Sequence, residues 1–137
     1  MRIVWKHLPL EMHKDAYLAH LASAAAADQG RFWEYHDKLF GNPGKLARAE
    51  LIKYAQELGL DMKRFEDGLA GGRGKTAIEA DLAEARALGA TGTPSFFVNG
   101  RFISGAKQFD EFARLINAEL IRLNQPVPAA AAAGAGG

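Results

Sequence analysis

The amino-acid sequence predicts one α/β domain, ordered as strand, five helices, β-hairpin and helix. Three observations carry that expectation. Apolar residues recur at helical spacing from Ala16 to Leu88, where positions three and four apart share a face. Past Gly92 the period becomes that of short strands, and Asn99-Gly100 separates two of them, the dipeptide favoured in two-residue type I′ turns. The length of 137 residues is about one domain's worth of chain, and no internal repeat or linker divides it.

Arg2 to His7 read as a strand, because Ile3, Val4 and Trp5 form a compact β-prone run halted by Leu8-Pro9. It begins almost at Met1, with no turn before it, and so resembles an internal element. Ala16, Tyr17, Leu18, Leu21 and the alanines to Ala27 predict a helix ending at Gly30; alanine is the best helix former and lets neighbours approach closely. Phe32, Trp33, Tyr35, Leu39 and Phe40 predict an aromatic helix terminated by Gly41-Asn42-Pro43-Gly44. Leu51, Ile52, Ala55 and Leu58 share one face of a third helix, with Gly59 at its C-terminal cap. Asp61 is the N-cap of a short fourth helix holding Met62, Phe65 and Leu69. After Gly71-Gly72 a fifth helix runs from Lys75 to Leu88, with Ile78, Leu82 and Ala85 on one face.

The hairpin follows, with strands Ser95–Val98 and Arg101–Ser104 and a break at Gly105. A final helix from Phe109 to Leu123 sets Phe109, Phe112, Leu115, Ile116, Leu120 and Leu123 in one stripe. Pro126-Val127-Pro128, followed by alanine and glycine alone, has no large side chain to bury beyond Val127 and reads as a disordered tail. The domain is therefore expected over residues 1–124 and the tail over 125–137.

Composition excludes several classes of function. Seventeen basic and sixteen acidic residues leave a net charge of +1 and an isoelectric point near 8.0, without the basic excess of a nucleic-acid binder. Cysteine is absent, so no disulfide, thiolate metal site or cysteine nucleophile can form within this chain. No apolar run approaches the ~20 residues of a membrane span. The N-terminus lacks the apolar core and small-residue cleavage site of a signal peptide, which places the chain in the cytoplasm by default.

Most candidate chemistry has a plainer use. Gly71-Gly72-Arg73-Gly74-Lys75-Thr76 ends like a phosphate-binding loop, but Leu69 stands where that motif needs glycine and no strand precedes it; a flexible interhelical turn is expected. His7, His13, His20 and His36 form no i, i+4 pair and are expected on helix surfaces, solvated or hydrogen-bonded, so no metal or other cofactor is expected. The acidic side chains alternate with Lys and Arg as on a solvated face. Phe32, Trp33, Tyr35 and Phe40 are expected to pack against neighbouring helices rather than line a pocket. Thr93-Pro94 opens the first hairpin strand, where proline removes a backbone donor. From spacing alone a trans proline starting an edge strand is the ordinary reading, since cis is ~5–6% of such bonds.

Several of these segments together resemble the DsbA-like thioredoxin-fold family. Thr91-Gly92-Thr93-Pro94-Ser95-Phe96-Phe97-Val98-Asn99-Gly100 is similar to its cis-proline segment and hairpin. Val4-Trp5-Lys6-His7-Leu8-Pro9-Leu10 and His13-Lys14-Asp15-Ala16 are similar to its second core strand and the start of its helical insertion, here about 14–89. Phe32 to Phe40 and the helix ending Ala87-Leu88-Gly89 match further parts, so the likeness covers residues 2–123. It implies a thioredoxin-like sheet flanked by helices, a cis Thr93–Pro94 bond, and Thr93 and Pro94 as substrate-binding residues. In the family, backbone groups before that proline pair with an extended peptide, opposite a Cys-x-x-Cys whose thiolate exchanges with substrate disulfides.

The resemblance also implies that the first core strand and the Cys-x-x-Cys belong before Val4. The expected fold is thus an incomplete thioredoxin-like one, the C-terminal portion of a thiol–disulfide oxidoreductase, redox-inactive as this chain. The absent strand would lie between Arg2–His7 and Ser95–Val98, leaving unpaired backbone groups at ~1–3 kcal/mol each. Three outcomes follow: the flanking strands pair directly, another chain donates a strand, or the fold is marginal. The expected partners are an extended peptide or a second copy by strand exchange, and the alternative function is a non-catalytic peptide-binding or strand-pairing module. The glutathione-dependent branch of the superfold, which uses serine in place of the first cysteine, gains no support because that serine would also precede Val4. Family members usually act outside the cytoplasm, where disulfides persist.

Overall fold

The computed structural model describes residues 1–128. It contains α1 (Ala16–Ala27), α2 (Phe32–Gly41), α3 (Arg48–Glu57), α4 (Met62–Leu69), α5 (Gly72–Ala87), β1 (Ser95–Val98), β2 (Arg101–Ser104) and α6 (Phe109–Arg122). The chain divides into two compact units, Met1–Thr91 and Gly92 onward. Gln125 to Pro128 carry no helix or strand, and the rest of the expected tail lies outside the described residues.

In the first unit α1 is the hub and packs against α2, α3, α4 and α5. Its alanines allow this. Ala22 and Ala26 are fully buried, and Leu21 to Ala26 is a continuous buried run. The close approach also needs glycine on the facing helices. A Cβ on Gly68 would stand 2.6 Å from the Ala25 Cβ, and one on Gly74 would stand 3.1 Å from the Ala24 Cβ. Tyr35, Leu51, Phe65 and Ile78 complete the core as its largest fully buried side chains. The Tyr35 hydroxyl donates to the Leu51 carbonyl at 2.9 Å, so the one polar atom of that buried ring is satisfied. Burial pushes its pKa upward, with a smaller contribution from Tyr54.

The helices follow the sequence pattern closely, with one shift. The expected loop at Gly71–Gly74 is mostly helix, because α5 begins at Gly72 and Gly74 is the contact point with α1. Asp61 caps α4 as its position implies, accepting the Arg64 backbone N–H at 3.0 Å.

The expected strand at Arg2–His7 does not form. A strand is defined by a neighbour that satisfies its N–H and C=O groups, and among the described residues the sheet is β1 paired with β2 alone. Ile3 and Val4 are exposed.

The aromatic helix is a second correction. Tyr35 alone is buried in the core; Trp33 is 49% and Phe40 68% exposed. Phe32, Trp33, His36 and Phe40 instead cluster with Trp5, whose ring centroid lies 4.9 Å from that of His36. One helix face can enter the core, and Tyr35 occupies it.

In the second unit Asn99 (φ 48) and Gly100 (φ 85) both take the positive φ of a type I′ turn. The register pairs Val98 with Arg101, Phe97 with Phe102, Phe96 with Ile103 and Ser95 with Ser104. Side chains alternate across the ribbon. Phe96 meets Phe112 of α6 edge-on at 4.7 Å, and Phe97 lies 5.0 Å from Phe102. Glu119 of α6 is buried to 4% exposure. Its carboxylate accepts from Arg122 at 2.8 Å and Arg101 at 3.2 Å, and from Asn99 Nδ2 at 3.4 Å. Hydrogen bonding by Arg122, then by Asn99, with the two arginine charges, holds that carboxyl below its usual range against the cost of burial.

Candidate functional site: the open edge of β1

The hairpin register determines which backbone groups are free. In an antiparallel pair joined by a two-residue turn, the residues flanking the turn bond to each other and the pattern alternates from there. Val98 and Phe96 therefore direct their N–H and C=O groups toward β2. Ser95 and Phe97 direct theirs outward. The Pro94 carbonyl continues the inward series, accepting the Gly105 N–H at 2.9 Å. The outward row has no strand beside it among the described residues.

Thr93 and Pro94 stand at the head of this edge, and both are exposed. The peptide bond between them is cis. The Ser95 hydroxyl donates to the Gly92 carbonyl at 2.6 Å and ties the approach loop to the first residue of β1. The site thus combines the two residues singled out from the sequence with two that were not, Ser95 and Phe97. Asn99-Gly100 contained the signal for these, because a two-residue turn fixes the parity of the whole strand.

The chain has no cysteine, and no group of three metal-ligating side chains occurs among the described residues. The histidines depart from expectation. His13 is exposed, but His7 is buried and its Nδ1 lies 2.8 Å from the Nδ1 of half-buried His20. Their separation in sequence, with His7 outside any helix, hid the pair. Gly71–Thr76 is not a phosphate-binding loop, since α4 and not a strand precedes it.

Residues 1–117 match the model of the DSBA-like thioredoxin domain, and the chain belongs to that family. A crystal structure of a thioredoxin-like oxidoreductase from Silicibacter pomeroyi superposes with a TM-score of 0.77 at 26% identity, covering 85% of this chain and 66% of that one. Among sequence relatives, a protein named Na(+)/H(+) antiporter NhaA 1 from Salinispora arenicola is 43% identical over 117 residues, 85% of this chain and 18% of the relative. One named Na(+)/H(+) antiporter NhaA 3 from Salinispora tropica is 47% identical over 102 residues, 74% of this chain and 16% of the relative. The chain spans under a fifth of these curated relatives.

Proposed function

We propose that this chain forms the peptide-binding part of a DsbA-like thiol–disulfide exchange domain, holding an extended substrate along β1 beside Thr93 and Pro94. The observation that carries this reading is the outward row of unpaired backbone groups at Ser95 and Phe97, on an edge whose flanking residues are exposed. Strand addition supplies affinity through main-chain hydrogen bonds. The exchange step needs a thiolate, and no cysteine is present, so the chain by itself is redox-inactive. The thiols of a working oxidoreductase would come from residues outside these 137.

Titration of the isotope-labelled chain with a β-prone, lysine-flanked synthetic peptide tests this. The amide resonances of Ser95 and Phe97 shift with that peptide and stay unmoved by its backbone N-methylated counterpart. Equal shifts with both peptides, or none with either, would refute strand addition.

The same edge favours a second reading, pairing with the β1 edge of a second copy. The exposed Phe97–Phe102 pair beside it adds apolar surface that such a contact would cover. Sedimentation separates the readings: a concentration-dependent dimer that peptide does not dissociate favours self-pairing. The antiporter-named relatives bear on context. Among the described residues no helix is long and apolar enough to cross a membrane, and the chain matches under a fifth of each of those relatives.

A further inference from the structure

The segment Met1–Leu10 has no helix or strand, and His7 and Pro9 are its only buried residues. Its polar attachments converge on α1 and α5. Lys6 Nζ lies 2.9 Å from Asp81 Oδ1 and 2.7 Å from Glu84 Oε2. The His7 backbone N–H donates to Asp81 Oδ2 at 2.8 Å. His7 Nδ1 meets His20 Nδ1 at 2.8 Å, the two rings crossing edge-on at 78°. The Lys6 side chain is 53% exposed, and ion pairs of that kind hold little against water and salt. The histidine contact is part-buried, as is the His7 N–H bond to Asp81.

Two ring nitrogens at this distance need one proton between them. One imidazole carries it on Nδ1 and the other presents a bare Nδ1. A first added proton settles on the donor's Nε2 and leaves the bond in place. A second must sit on the accepting Nδ1, and then two N–H groups of two positive rings face each other. From this geometry we propose that His7 and His20 form an acid-released latch holding the segment Met1–Leu10 on the helical unit.

The charged groups around the pair are Asp81 and Arg73 of α5, Glu84 through Lys6, Lys6 itself, and Asp28 after α1. Asp28 and Arg73 line the same depression as His7. Burial is the main cause that lowers both histidines, and the neighbouring His7 charge adds to it at His20, which falls to about 4; Asp81 opposes the shift in each. Released rings return to about 6.5, so the released segment binds more protons than the latched one in the interval between. The latch is therefore at full strength above about 6.5 and is lost as pH falls toward about 4.

Backbone relaxation of the full, isotope-labelled chain between pH 7 and pH 4 tests the latch, because order parameters of about 0.85 mark rigid backbone and values below about 0.6 flexible backbone. On acidification, the residues around His7 fall from the first range to the second while α1–α5 stay rigid. In His20→Asn the amide offers its oxygen to a protonated His7 and the segment stays ordered through the same range. His20→Gln repeats the test should the first variant not fold. Unchanged order parameters in the unsubstituted chain would overturn the latch. So would equal loss in the folded variants, or loss of α1–α5 together with the segment.

Discussion

In the unit Met1–Thr91, burial is mainly apolar and shared among five helices. Ala22, Ala26, Tyr35, Leu51, Phe65 and Ile78 are sealed from water around α1. From Gly92 on, burial is sparse. Ile103 is the one buried apolar side chain there among the described residues, and it is accompanied by the carboxylate of Glu119. The first unit is ordered by removing carbon from water, at roughly 25 cal/mol per Å². The second relies on a turn that only positive-φ residues can make, an aromatic contact between Phe96 and Phe112, and a charge cluster. The difference matters for function. A region whose outer edge and aromatic side chains remain accessible can take up a partner, whereas a closed helical core cannot.

The sharpest way to break this contrast is Phe65→Ala. Deleting a fully buried ring in contact with Tyr35 lowers the unfolding free energy of the helical unit by about 3–5 kcal/mol, read by urea denaturation. If the hairpin amides lose protection at the same denaturant concentration, the two units unfold as one and the contrast fails. Gly68→Ala probes the close approach of α4 to α1. Its new methyl meets the Ala25 Cβ, and overpacking of this kind costs about 1–3 kcal/mol; a variant as stable as the parent would show that the helices part freely. Asp61→Ala removes the cap on Arg64 N–H and lowers stability by about 1 kcal/mol.

Glu119→Gln leaves the helical unit untouched and acts in the second. Without the carboxylate, Arg101 and Arg122 lose their common partner, and hydrogen exchange at the hairpin accelerates while that of α1–α5 does not. The unsubstituted chain shows the same change with acid. Because the Glu119 carboxyl is held below its usual range, chiefly by Arg122, its contribution is complete above that range and disappears as pH falls through the depressed value. Hairpin exchange that is indifferent to both changes would show that the cluster contributes nothing to its order.

Helix positions were legible because each is signalled locally. Asp61 before Met62, Gly59 after Leu58 and the alanines of α1 act within a turn or two of themselves. The hairpin was legible for the same reason, since Asn99-Gly100 specifies its own geometry. Ile3-Val4-Trp5 misled because β-propensity describes a side chain suited to a sheet and not the presence of a neighbouring strand. Trp33 and Phe40 misled because periodicity identifies an apolar face without stating whether anything covers it. His7 and His20 belong to different segments, and no spacing rule joins them.

Read alone, the chain of letters determined the helices, the turn, the family likeness through Thr93-Pro94 and the absence of any thiol. These are properties of single residues and their near neighbours. Tertiary structure decided which edge of β1 stays open, which rings reach water, and that two distant histidines meet. Those depend on what stands opposite each group in space, which local energetics do not encode.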